Sequence, residues 1–183
     1  INIISQKTSS KKSLIERHII DSAQIIDFVD FNYNITTDLG SGGGMPGIVV
    51  AIILKNMKKS MNVHLYEKSY HKSRFLEEVS EKLNLNTKIF QKNIFEIKNL
   101  ETGTIMSRAF KPMPVVLDLV YENFSKFKNI IFFMGKNGKK IFEKSKDDWS
   151  LEYIEKKSLT NEDSFLLNIK KINKKNKKRY KKN

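Results

Sequence analysis

The stretch Asp38-Leu39-Gly40-Ser41-Gly42-Gly43-Gly44-Met45-Pro46-Gly47 decides how the rest of the chain reads. It closes a short apolar run at 35–39 and opens onto another at 47–54. An acid and a glycine cluster after a buried strand, then a proline suited to a first helical turn, mark a strand-to-helix turn. Gly40, Gly42 and Gly44 let the main chain turn tightly and let a ligand approach it. The helix beyond offers unpaired N–H groups.

Outward from this turn, strands and helices alternate. Residues 62–67 read as a strand and 70–83 as a helix with Phe75, Leu76, Val79 and Leu83 on one face. Residues 87–91, 104–107 and 129–134 read as further strands, with helices predicted at 113–127 and 137–146. Upstream, 12–31 place Leu14, Ile15, His18, Ile19, Ala23, Ile25, Ile26 and Val29 at helical spacing. Downstream the pattern changes: 149–156 and 164–171 are two strand-like runs joined by a turn at 159–163. The expected architecture is α/β: a mostly parallel, Rossmann-like sheet with helices on both faces and an antiparallel C-terminal hairpin. A ligand in such a sheet sits outside the carboxyl ends of the strands, where the glycines are. There is no internal repeat and no linker, so one domain is expected at 1–171, beginning with the helix, and a basic tail at 172–183.

Composition narrows the function. The 183 residues contain no cysteine, which excludes a disulfide scaffold, a thiolate metal site and a cysteine nucleophile. Three scattered histidines argue against a metal, and no apolar run approaches membrane-spanning length. No signal-peptide stretch opens the chain, so a cytoplasmic location is expected. The first residue is Ile rather than Met, so a preceding segment is expected in the translation product. Most of the net charge of +14 lies in the lysine-rich stretch 170–182. Such a tail reads as an electrostatic arm for nucleic acid or another anionic surface.

The glycine turn admits two cofactors. Gly42, Gly44 and Gly47 fit G-x-G-x-x-G, the pattern of a nicotinamide-dependent oxidoreductase, formally. Asp38, Gly40, Gly42 and Gly44 form D-x-G-x-G-x-G, which resembles the first motif of class I S-adenosylmethionine-dependent methyltransferases. Glu67 ends the second strand, where a carboxylate accepts both ribose hydroxyls of an adenosine in either cofactor.

Three further segments separate the alternatives. Glu16-Arg17-His18-Ile19-Ile20-Asp21-Ser22 precedes the turn, Met45-Pro46-Gly47-Ile48 closes it, and Ser107-Arg108-Ala109-Phe110 ends the fourth strand. In this order they resemble the RsmG (GidB) family of bacterial 16S rRNA methyltransferases. The resemblance implies transfer of a methyl group from S-adenosylmethionine to N7 of a guanine in the small ribosomal subunit. It implies a cofactor pocket holding Gly40, Met45, Glu67, Asn93, Ile94 and Arg108, with Asp38 and Gly42 in the motif itself. Members carry Arg-x-Glu where this chain has Lys92-Asn93-Ile94, so main-chain contacts are expected there.

Guanine N7 has a lone pair and no proton, so no general base is expected; alignment of N7 with the methyl group carries the rate. Arg17, His18, Arg108 and Phe110 are the candidate contacts to the RNA. A monomer, without metal or membrane, is the expected state. The remaining alternative is a non-catalytic RNA-binding protein that keeps the fold.

Overall fold

The computed structural model describes residues 15–175. Its strands are β1 (Ile35–Leu39), β2 (Asn62–Tyr66), β3 (Thr87–Phe90), β4 (Leu100–Glu101), β5 (Thr104–Ser107), β6 (Phe124–Lys126), β7 (Asn129–Met134), β8 (Trp149–Lys157) and β9 (Phe165–Lys174). Its main helices are α1 (Gly47–Asn56), α2 (Tyr70–Lys82), α3 (Met113–Asn123) and α4 (Gly138–Ser145). Seven strands form one sheet in the order β3-β2-β1-β5-β7-β9-β8, and β4 pairs with β6 apart from it. The first five are parallel; β9 runs antiparallel to both β7 and β8.

Side chains alternate across the sheet and so split the core into two layers. Ile105, Ile130 and Leu167 face a layer with Val116, Leu117 and Val120 of α3 and Phe142 of α4. Their neighbours Met106, Ile131 and Leu166 face a second layer with Val50, Ala51 and Leu54 of α1 and Leu76 of α2. Strands buried on both faces explain the near-continuous apolar runs of the sequence.

Register positions the site. Leu39 at the end of β1 pairs with Tyr66 on one side and Ser107 on the other. The next residues of the three strands, Gly40, Glu67 and Arg108, therefore leave the sheet side by side. The strand order reverses direction at β1 and β5, so they emerge at the topological switch point.

Three sequence expectations need correction. The continuous helix at 12–31 is interrupted: residues 12–14 lie outside those described, Ile15–Ile20 form a wide π turn, Asp21–Ala23 an α turn and Ile26–Phe28 a 3-10 turn. The cause is local. Arg108 takes the main-chain carbonyls of Arg17 and His18, and the Ser22 hydroxyl also donates to that of His18. The helix expected over 113–127 stops at Asn123, because Phe124 turns extended into the core and β6 pairs with β4. At the other end, β9 continues to Lys174, beyond the boundary expected at 171; residues 176–183 of the tail lie outside the described chain.

Candidate functional site

The turn after β1 is built from backbone. Gly40, at φ +67°, sits against the Phe110 ring so closely that a Cβ there would lie 2.1 Å from it. Glycine is required on both counts. The Ser41 N–H donates to the Tyr66 carbonyl at 3.0 Å, and the Gly42 N–H to Glu67 Oε2 at 3.0 Å. Glu67 Oε1 accepts from the Ser69 N–H at 2.8 Å. A single carboxylate thus ties the end of β2 to the glycine turn and to the start of α2.

Asp38 lies beneath this turn rather than in it. Its carboxyl is buried, and Oδ2 accepts from the Gly47 N–H at 3.1 Å, capping the start of α1. Burial pushes the group up to about 7, against the opposing pull of hydrogen bonds and of the Arg108 charge. This counts against the dinucleotide pattern: one of the helix-start N–H groups a pyrophosphate would use is already taken by a carboxyl group.

Above the turn opens a cavity of about 580 Å³. Gly40 to Gly43 and Met45 form one side, and Tyr66 and Glu67 the base. Asn93, Ile94, Arg108, Ala109, Phe110 and His18 complete its lining. Lys68, Lys72, Lys92 and Lys111 give it a basic rim. Of the residues expected to hold the cofactor, Gly40, Gly42, Met45, Glu67, Asn93, Ile94 and Arg108 all line it; Asp38 acts from behind.

Arg108 is less free than the sequence suggests. Its guanidinium pairs with Asp21 Oδ2 at 2.9 Å and donates to Ser22 Oγ at 2.8 Å and to the Arg17 carbonyl at 3.0 Å. It also lies over the Phe133 ring, 5.3 Å from its centre. Arg108 therefore fastens the N-terminal segment onto the end of β5 while one side of it borders the cavity. His18 is held there with its pKa below the ordinary value, through burial and the nearby charges of Arg108 and Arg17. Arg17 does not reach the large cavity; it borders a smaller one beyond Arg108.

Two groups of functional residues escape the sequence reading. Asn123, buried at the end of α3, donates to the carbonyls of Ile94, Phe95 and Ile97 at 2.7–3.2 Å and so holds the wall around Asn93 and Ile94. The β8–β9 turn closes onto Asp21, whose Oδ1 accepts from Ser158 and Thr160 hydroxyls and from Gln24 Nε2. A lone Asn inside an apolar helix is the only sequence signal for the first; nothing signals the second.

S-adenosylmethionine fits the groups present. The Glu67 carboxylate, one main-chain donor on each oxygen, has lone pairs left for the two hydroxyls of a ribose. Ile94, Tyr66 and Phe110 supply apolar faces for an adenine, and the glycine turn leaves its main chain open to a small polar end group. Sheet order and cavity together define a class I S-adenosylmethionine-dependent methyltransferase. Solved structures agree on the fold. A methyltransferase of this kind from Aquifex aeolicus superposes with a TM-score of 0.63 at 11% identity, over 86% of this chain and 92% of that one. The M. capricolum protein TrmK, solved with S-adenosylhomocysteine, superposes with a TM-score of 0.59 at 15% identity, over 82% and 67%.

The chain belongs to the GidB family, described as rRNA small subunit methyltransferase G, whose model matches residues 1–168. A ribosomal RNA small subunit methyltransferase G from Pelagibacter ubique (strain HTCC1062) is 61% identical over 96% of this chain and 83% of its own. A relative of the same name from Jannaschia sp. (strain CCS1) is 30% identical, over 91% and 78%. Among the described residues there is no helix long and apolar enough to cross a membrane. Nor is there a group of three or more His, Asp or Glu placed to hold a metal.

Proposed function

We propose that this protein transfers the methyl group of S-adenosylmethionine to N7 of a guanine in 16S rRNA, acting as a monomer on the small ribosomal subunit in the cytoplasm. The observation that carries the reading is the 61% identity, over nearly the whole chain, to a relative named for methylation of small-subunit ribosomal RNA. The site geometry is compatible with it at each step.

The bound cofactor supplies an electrophilic methyl group. Glu67 holds the ribose hydroxyls, Ile94 and Phe110 shield the adenine from water, and Gly40 lets the main chain come close. No residue has to remove a proton, because N7 has none, so the protein acts by placing two reactants in line. His18 then serves as a neutral wall of the site rather than as a base; its lowered pKa favours the uncharged ring at pH 7. N7 lies in the deep major groove of A-form RNA, so the target base has to sit in a loop or leave its stack. Lys68, Lys72, Lys92 and Lys111 around the mouth attract the phosphates flanking it.

The test is transfer of labelled methyl to small subunits lacking the modification, followed by chain cleavage at N7-methylguanine. The expected result is label at one guanine. Bound S-adenosylhomocysteine without label would redirect the activity to another substrate, and failure to bind it would refute the methyltransferase reading.

A further inference from the structure

Beyond Arg108 a second cavity, of about 310 Å³, lies over the ends of β5 and β7. Arg108 and Ala109 line both cavities, so the two adjoin there. Phe133, Met134 and Leu166 give the second an apolar part of its lining. Ser158, Thr160, Asn161 and Ser164 of the β8–β9 turn give it a polar part, with Arg17 and Asp21 also lining it.

Resting on the proposed function, we infer that this second cavity receives the acceptor guanine. Its apolar side chains suit the face of a base, and its hydroxyl and amide groups suit a base edge. The Watson–Crick edge of guanine presents N–H groups and a carbonyl, so it needs acceptors and donors together. Hydroxyls and a carboxamide supply both. Asn161 Oδ1 accepts from the Asp163 N–H at 2.8 Å, while its Nδ2 has no hydrogen-bond partner among the described residues. The Hoogsteen edge, which adjoins the Watson–Crick edge at O6 and carries N7, is then turned toward the cofactor cavity where the two cavities meet at Arg108 and Ala109.

The polar residues are held for this task. Ser158 and Thr160 hydroxyls reach Asp21 Oδ1 at 3.3 and 3.2 Å, and the Leu159 N–H donates to Gln24 Oε1 at 3.0 Å. A recognition site needs such support to keep its groups in place. Arg17 is exposed and forms no ion pair among the described residues, which leaves its guanidinium for a phosphate of the extruded nucleotide.

The experiment compares wild type with Gly135→Leu and Asn161→Ala, each saturated with S-adenosylhomocysteine and bound to unmodified small subunits. Gly135 borders the cavity and a Cβ there meets nothing within 4 Å, so leucine can be introduced without strain at its Cβ. Dimethyl sulfate reads whether N7 of the target guanine is exposed, and methyl transfer is measured in parallel with the methyl donor. Wild type should shield the guanine. Gly135→Leu should lose that shielding and slow transfer about 100-fold, and Asn161→Ala should slow it about tenfold, with S-adenosylhomocysteine affinity within about twofold of wild type in both. Shielding and transfer unchanged in both variants would overturn the inference. So would loss of cofactor affinity in step with transfer, since the residues would then serve the first cavity. Absence of transfer by wild type would sink the proposed function and the inference with it.

Discussion

The two sides of the site are built in different materials. Around the glycine turn the structure is made by main chain: three glycines at positive φ and N–H groups bound to the Asp38 and Glu67 carboxyl groups. Across the cavity, side chains hold together segments distant in sequence. Asp21 gathers Arg108, Gln24, Ser158 and Thr160, so one carboxylate fastens the N-terminal segment, the end of β5 and the β8–β9 turn. In the proposed reading the first side makes a surface for a small, invariant molecule, and the second makes a clasp beside the place where the large substrate enters.

If that division holds, damage to the two sides should separate cofactor binding from stability. The largest effect is expected at Glu67. Glu67→Ala removes the partner of both the Gly42 and Ser69 N–H groups, and with it the carboxylate we propose for the ribose. S-adenosylhomocysteine affinity, measured calorimetrically, should fall about 100-fold or more, at about 1.5–3 kcal/mol for each hydrogen bond to a charged group. A change below about threefold would mean that the adenosine lies elsewhere.

On the clasp the order should invert. Asp21→Ala leaves the Arg108 guanidinium, 18% exposed, without its carboxylate and strips three further donors of their acceptor. Unfolding in denaturant should show a loss of about 2–3 kcal/mol, below the range for a fully buried pair because some water reaches this one. S-adenosylhomocysteine affinity should change far less than in Glu67→Ala. Asp21→Ala and Arg108→Ala should also be non-additive, the double variant scarcely less stable than either single one. Additive losses would show that Arg108 draws its worth from Phe133 and the carbonyls rather than from Asp21.

The same division governs what can be read from the sequence. The main-chain side is legible because glycine spacing, a strand-ending acid and alternating apolar runs are local signals. Gly40, Glu67 and Arg108 can be placed together once the strands are assigned, since parallel pairing brings strand ends level. The clasp is not legible. Asp21 and Ser22 look like polar positions on an amphipathic helix. Only the tertiary contact with Arg108 shows why that helix widens into a π turn at Ile15–Ile20. Asn123 is hidden for a related reason: its three acceptors are carbonyls of an irregular segment, and no side-chain pattern announces a carbonyl.

Asn123 offers a finer test, because it is a side-chain clamp on the cofactor side. Asn123→Ala frees the carbonyls of Ile94, Phe95 and Ile97 and leaves Lys98 Nζ without its 2.7 Å acceptor. The wall around Asn93 and Ile94 should loosen, weakening S-adenosylhomocysteine about tenfold, as expected for lost buried hydrogen bonds acting through a wall rather than on the ligand. Asn123→Asp, which keeps an acceptor for Lys98 but not the donors, should behave like the alanine variant. If aspartate restores binding, the lysine contact is what matters.

The smallest effect concerns Asp38, which supports the glycine turn without lining the cavity. Its carboxyl titrates at about 7 in the folded protein against 3.8 for an ordinary aspartate, chiefly because it is buried. The folded chain therefore holds the proton to higher pH than the unfolded chain. The stability this contributes is full below 3.8 and is lost as pH rises through about 7. Asp38→Asn keeps an oxygen for the Gly47 N–H and removes the titration. Melting curves should show the asparagine variant gaining on wild type by a few degrees between about pH 5 and pH 8, with cofactor affinity little altered. Parallel curves would mean that the positive charge of Arg108 keeps Asp38 ionised throughout. The two sides of the site would then be coupled electrostatically through the sheet end, and Arg108→Ala should restore the missing pH dependence.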